Sequence, residues 1–371
     1  MAAGPPELAL ARSTLARYLA VRPTDTVTIE AWSHALPWAR AFVVEARRLG
    51  ATPVLAVEDE EGFFGSLATG APVPTSPSAL AGLGGAYVYL PGPEAFPRLF
   101  GLGADDLGSA LERHDEAWRT VARSSGLRAV SMTVATVTAT AAARFGVNVD
   151  AWRSEVVDAS LVPPQRLRAA AAGLTRPLLR ARTAAIRHPN GTRLHVRLRP
   201  GRWFEETGRS RRPALRQDTI WTTVPTGRLV VPVAAGSAVG SWEANRPTYD
   251  RLGEPPLSVG ARFAFRAGRL TEVAFDRGGE GFASTYGRAG RRPTAVAALS
   301  VGLNPCVGRA PEVGDLASGA VGLWIGGPRG RTTRSGTSAA YVSVLHGADV
   351  ELDGRPWLEG GHPVHGRGPR R

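Results

Sequence analysis

The chain contains no lysine. All 45 of its basic residues are arginines. A Schiff-base lysine, a pyridoxal-phosphate lysine and the lysine of a phosphate-binding loop are therefore excluded. Cysteine is nearly absent as well. Cys306 is the single one, so there is neither an internal disulfide nor a multi-cysteine zinc site. No window of about 18 residues is continuously apolar, as a membrane-spanning helix requires. Residues 1 to 21 are amphipathic, but Glu7, Arg12 and Arg17 interrupt the apolar stretch a signal peptide needs. The expected location is the cytoplasm, with no membrane partner.

The chain has 371 residues, long for one core, and 43% of them are hydrophobic, enough for packed domains. Its bias toward Ala, Gly, Pro and Arg suggests a GC-rich genome. The net charge of +13 raises the question of nucleic-acid binding. The arginines are scattered, however, and the dense run Arg209 to Arg212 reads as a solvated loop. No nucleic-acid partner is expected.

The first third alternates strands and helices: a strand at Thr26 to Glu30, a helix at Trp38 to Leu49 stopped by Gly50, and a buried strand at Pro53 to Val57. Ala86 to Leu90 and Ala129 to Val134 repeat the strand pattern, with a helix at Glu112 to Ala122 between them. Such alternation implies a parallel sheet. Beyond about residue 180 the texture changes. Thr183 to Arg187 and Thr192 to Leu198 flank His188-Pro189-Asn190-Gly191, a hairpin signal. Arg262 to Phe265 and Thr271 to Phe275 form a second hairpin. The fold class expected is α/β: an N-terminal parallel-sheet domain over 1–180, a C-terminal α+β domain over 181–360, and a loose tail over 361–371.

Few motifs carry chemistry. There is no G-x-G-x-x-G entering a helix, no H-E-x-x-H and no G-x-S-x-G. His114 and its acidic neighbours read as a solvated helix face, His34 as structural, and His362 with His365 as a tail pair. His346, in Leu345-His346-Gly347, is the histidine of interest.

Several segments, taken in order, resemble the thermophilic metallo-aminopeptidases of the aminopeptidase T type. Asp25 to Glu30 with Ala35-Leu36-Pro37 and Gly50-Ala51 resembles the family's first strand–helix–strand. Val224 to Leu229, Ser300 to Pro305, Gly319 to Val321, Asp353-Gly354 and Gly360-Gly361 resemble later segments. The likeness spans nearly the whole chain. It implies an aminopeptidase-like C-terminal domain, a homodimer, and a site holding two divalent ions through two glutamates, two histidines, an aspartate and a tyrosine. Those positions fall here on Arg228 and Ala298, on Gly322, near Arg329, and on Tyr341 and Ser343. Between Arg288 and Gly347 the remaining candidate ligands are His346, Glu312 and Asp315. The iron-dependent dioxygenase that opens dihydroxypyridine rings, a relative of this scaffold, needs the same kinds of ligand.

The expectation is a site without metal or other cofactor. Arg228 and Arg329 offer guanidiniums to an anionic group. Tyr341 and Ser343 share one side of a strand, with Tyr341 a general acid. Cys306 is a nucleophile if arginines flank it, and a small packed residue otherwise. His346 joins them as a catalytic candidate. Asn304 borders the site, with Trp221 and Trp324 as an aromatic wall. The functional expectation is a metal-independent enzyme acting on a small acidic or peptide-like metabolite, in specialised biosynthesis. A metal-dependent aminopeptidase and a non-catalytic binding protein are the alternatives.

Overall fold

A computed structural model describes residues 5–68, 80, 83–94, 126–208, 221–246, 259–279, 282, 296–308, 310–326 and 341–364. The helix expected at Glu112 to Ala122, the arginine run at 209–212, and Arg329 and His365 lie outside them. Six α-helices are described: α1 (Pro6–Ser13), α2 (Leu36–Arg48), α3 (Glu60–Ala68), α4 (Ala139–Phe145), α5 (Val149–Leu161) and α6 (Pro164–Leu178). No helix among the described residues is long and apolar enough to cross a membrane.

The strands run in chain order. The first four are β1 (Thr26–Trp32), β2 (Thr52–Glu58), β3 (Ala86–Leu90) and β4 (Arg128–Met132). Then come β5 (Thr183–Arg187), β6 (Arg193–Arg197), β7 (Phe204–Glu206), β8 (Trp221–Val224), β9 (Arg228–Pro232) and β10 (Val239–Glu243). The last eight are β11 (Arg262–Arg266), β12 (Arg269–Ala274), β13 (Val296–Gly302), β14 (Ala320–Ile325), β15 (Tyr341–His346), β16 (Asp349–Leu352), β17 (Arg355–Glu359) and β18 (His362–Pro363).

Two compact units result. The first takes Met1–Pro164 and Gly208–Pro225; the second takes Gln165–Thr207, Thr226–Thr333 and Thr337–Arg371. The sequence places one division near 180, whereas the packed units divide before α6. The reason is local: the Trp357 indole of β17 donates to the Leu174 carbonyl of α6 at 3.1 Å, which ties that helix to the second unit.

The first unit is a five-stranded parallel sheet in the order β2-β1-β3-β4-β8. Helix α2 buries Trp38, Phe42 and Ala46, a helical stripe. Gly50, at φ 76°, reverses the chain after it. Asn148 caps α5 by accepting from the Ala151 amide at 2.9 Å. Pro53 to Val57 does form a strand, but not a buried one. As β2 it is an edge, with Leu55 and Val57 40% and 49% exposed. An apolar run marks a strand without saying whether a neighbour covers both its sides. Strand order reverses between β1 and β3, where doubly wound sheets usually open a ligand crevice. Here the Trp32 ring lies where a side chain at Gly92 would project.

The second unit holds two antiparallel sheets, β12-β11-β10-β6-β5-β16-β17-β18 and β15-β14-β13-β9-β7. Both hairpins expected from the sequence are present, β5 with β6 and β11 with β12. The second turns on Ala267 and Gly268, both at positive φ, the two-residue turn whose twist suits a hairpin. The sheets pack face to face. Phe263 of β11 and Phe275 stack edge-on against Tyr341 of β15 with centroids 5.7 and 6.2 Å apart. The fully buried Trp242 of β10 donates its indole N–H to Ser343 Oγ of β15 at 2.9 Å. Trp242 thus lies on a core strand of the sandwich.

Candidate functional site

Side chains alternate across a strand, and residues paired across a ladder share a face. The register of the five-stranded sheet therefore sorts the candidate residues. Glu206 pairs with Arg228, and Arg228 with Gly302. Ser300 pairs with Gly322, and Gly322 with Val344. Ala298 pairs with Trp324, and Ala320 with His346. Arg228, Trp324 and His346 thus share the sheet's outer face. Tyr341 and Ser343 lie on the inner one.

That separation corrects the expectation that Tyr341 and Ser343 line the same site as Arg228. Both are fully buried between the sheets. Tyr341 sits in an aromatic cluster with Phe263, Phe275 and Phe282, and Ser343 accepts from Trp242. Both side chains pack the interior of the sandwich.

On the outer face Arg228 is the centre. Its Nε donates to Glu206 Oε2 and its Nη1 to Asp315 Oδ2, both at 2.6 Å. Its Cζ lies 4.7 Å from the centroid of the Trp324 ring, a cation–π distance. The Trp324 indole N–H in turn donates to Ser300 Oγ at 3.0 Å. Side-chain exposure is 21% for Arg228, 39% for Glu206 and 10% for Asp315. Burial pulls the guanidinium pKa down, but the charges and hydrogen bonds of Glu206 and Asp315 more than offset it, and the net direction is upward. Arg228 is a permanent cation clamped between two carboxylates, not a free anion receptor.

A 3-10 helix, Pro311–Leu316, roofs this face and supplies Asp315. It fits because Gly302 has no side chain: a Cβ there would overlap the backbone of Leu316 and Ala317. Three strand spacings separate Arg228 from His346, roughly 14 Å, and the roof reaches both. Beside His346 it presents the Gly314 carbonyl. Burial first, and then the charge of Arg246, lower the His346 pKa, with the Gly314 carbonyl opposing them. Its Nε2 is buried without a hydrogen-bond partner among the described residues.

Asn304 is fully buried. Its Nδ2 donates to the Thr226 carbonyl at 2.8 Å and its Oδ1 accepts from the Cys306 amide at 3.0 Å. It pins the loop before β9 to the turn after β13, an architectural task. Cys306 is solvent-exposed on that turn rather than packed. Trp221 opens β8 of the first unit, and its side chain is outside what is described. Sequence reasoning missed Glu206, Asn245 and Arg246. Glu206 had no motif to mark it; only the pairing of β7 with β9 brings it to Arg228.

No known protein family matches the sequence, and no curated protein matches it either. Solved structures do. Wild-type AmpT from Thermus thermophilus matches over 97% of this chain and 99% of its own, with a TM-score of 0.66 and 16% identity. The 2,5-dihydroxypyridine dioxygenase from Pseudomonas putida matches over 97% of both chains, with a TM-score of 0.60 and 15% identity. The chain has an aminopeptidase-like fold. At such identities the likeness is one of architecture. Of the positions that the resemblance assigns to the ligands of two divalent ions, the described ones, Arg228, Ala298, Gly322, Tyr341 and Ser343, carry no carboxylate or imidazole. Among the described residues no three His, Cys, Asp or Glu side chains gather as a cation site. Two carboxylates on this face, Glu206 and Asp315, are both bonded to Arg228.

Proposed function

We propose that this chain is a metal-independent enzyme on an aminopeptidase-like scaffold, acting on a small peptide-like metabolite at the outer face of the five-stranded sheet. The observation that carries the reading is the Arg228 guanidinium bonded to Glu206 and Asp315. It supplies the charge that two carboxylates would otherwise call for in a cation. The cluster sets one guanidinium against two carboxylates, so it repels a purely acidic ligand and tolerates an amine-bearing one. Nη2 of Arg228, engaged by neither carboxylate, remains to meet a ligand carbonyl or carboxylate. His346, on the same face, supplies a neutral imidazole for proton transfer. A setting in specialised biosynthesis is part of the proposal.

A non-catalytic binding protein is the second reading. It is favoured by how completely Asn304 and Ser343 are used in internal bonds.

Elemental analysis of the purified protein, joined to a thermal-shift panel, tests both. The expected result is no stoichiometric divalent metal, no change in Tm with a chelator, and stabilisation by zwitterionic dipeptides over dicarboxylates. One bound divalent ion per chain, with chelator-sensitive release of N-terminal residues, would overturn the proposal. A stabilising ligand that is never turned over would move it to the binding reading.

A further inference from the structure

Strand β2 ends the parallel sheet, and among the described residues only β1 pairs with it. One bond tells which of its backbone groups face outward. The Thr52 amide donates to the Asp25 carbonyl at 3.0 Å, so Thr52 turns its amide and carbonyl toward β1. That orientation alternates along a parallel ladder, and Val54, Ala56 and Glu58 face β1 as well. Pro53, Leu55 and Val57 face the open side. Pro53 agrees with this placement, because a residue without an N–H loses no ladder bond there. Open edges are usually guarded by a charge, a bulge or a proline. Here the proline guards one end alone. Leu55 and Val57 present their amides and carbonyls outward, and their side chains are both solvent-exposed.

This edge is complementary to itself. Two copies of β2 laid antiparallel about a two-fold axis at Ala56 set Leu55 of each against Val57 of the other. Each of these pairs exchanges both of its N–H···O bonds. Moving the axis to Leu55 would set Val57 against Pro53, where the Val57 carbonyl meets no donor. Pro53 therefore selects the register. Residues directly opposite in a ladder share a face, so the exposed Leu55 and Val57 side chains of both copies meet. Charge selects the antiparallel direction. Strand β2 runs into Glu58 and Asp59, with Glu60 and Glu61 opening α3. It begins shortly after Arg47 and Arg48 in the last turn of α2, of which Arg48 also pairs with Glu45. Antiparallel pairing brings the acidic end of each copy toward the basic end of the other, whereas parallel pairing would set like against like.

We infer that the open edge of β2 is an interface between two copies of this chain, paired across a two-fold axis at Ala56 so that their parallel sheets join into one. The occupant is a second copy because β2 supplies its own complement: the same two residues give donor, acceptor and apolar contact on both sides. A different protein would have to bring the same spacing of outward groups and the reversed order of charges. One strand pair is a small interface, so the association is concentration-dependent. It involves the first unit alone and stands apart from the chemistry proposed for the second.

The test uses full-length protein in sedimentation runs over a wide range of concentration. The expected result is a monomer–dimer equilibrium. Val57→Pro removes an outward amide and no bond to β1, and Val57→Glu sets a charge against Leu55 of the other copy. Each should weaken association by about tenfold or more, with the far-UV circular dichroism unchanged. Cysteines then read the register, in a Cys306→Ser background. Facing residues at the axis have Cα atoms about 4.5 Å apart, within disulfide reach, so Ala56→Cys should oxidise to a covalent dimer. Val54→Cys should not, since its two copies stay roughly 14 Å apart. A protein that is monomeric at every concentration overturns the inference. So does a dimer that both Val57 variants leave unchanged, or one that Val54→Cys traps as readily as Ala56→Cys. If Val57→Pro does not fold, Val57→Glu at the same exposed position and the Ala56→Cys disulfide decide the outcome.

Discussion

The guanidinium of Arg228 lies over the indole of Trp324, with Cζ 4.7 Å from the ring centroid. The stack holds a cation in place on one side while Glu206 and Asp315 hold it at its edges. A side chain restrained in this way costs little further ordering when a ligand arrives.

Removing Arg228 should expose how much the cluster stabilises. Arg228→Ala strands Asp315, which is 10% exposed, beside a more hydrated Glu206. The expected loss is about 2–4 kcal/mol, toward the low side of the cost of breaking a buried pair. Arg228→Lys keeps the charge but neither the fork nor the stack, and should recover only part of it. Urea denaturation of the three proteins checks the order.

Ser343 should behave as a core residue and not as a site residue. Ser343→Ala leaves the buried Trp242 indole N–H without its acceptor, an expected cost of about 1–3 kcal/mol. Ligand affinity at the outer face should not change. A large loss of affinity at unchanged stability would contradict the placement.

Gly302 should be intolerant of a side chain. The Cβ of Gly302→Ala meets the Leu316 and Ala317 backbone, which cannot rotate away as a side-chain tip can. Overpacking of this kind costs about 1–3 kcal/mol, and the 3-10 helix must shift. Trp324 fluorescence should report the shift, since Asp315 would be drawn off the arginine beneath which that indole lies.

Acid should weaken the first unit through Asp25. Burial alone would raise its carboxyl pKa, but the Arg128 guanidinium at 2.5 Å, with the Arg22 amide, brings it below the ordinary value. The unfolded state then binds more protons than the folded one in the window between the two pKa values, so stability rises with pH there. The contribution is complete above the ordinary carboxylate range and is lost as pH falls through it to the lowered value. Urea midpoints across pH 3 to 7 should show a shallower acid limb for Asp25→Asn than for the parent.

Period and turn chemistry made much of the fold legible. The α2 stripe ending at Gly50, the β5–β6 hairpin and the Ala267-Gly268 turn are local signals, and each is where the residues indicate. The edge position of β2 was not legible, because it depends on which strands exist elsewhere. The same limit applied to the site. Alternation correctly put Tyr341 and Ser343 on one face, but which face meets Arg228 is decided by register across β9, β13, β14 and β15. Glu206 and Asp315 lie 22 and 87 residues from Arg228, and no local pattern links them.

The path of the chain between β7 and β9 has a practical consequence. It leaves the second unit after Thr207, lays β8 alongside β4 as the fifth parallel strand, and returns at Thr226. A fragment ending near residue 180 would therefore lack β8 and present the outer edge of β4 unpaired. Open edges of this kind seek another chain, so such a fragment should aggregate. Neither half can be produced soundly by a single cut; a cleanly folding first unit requires residues 208–225 to be grafted back, for instance by circular permutation.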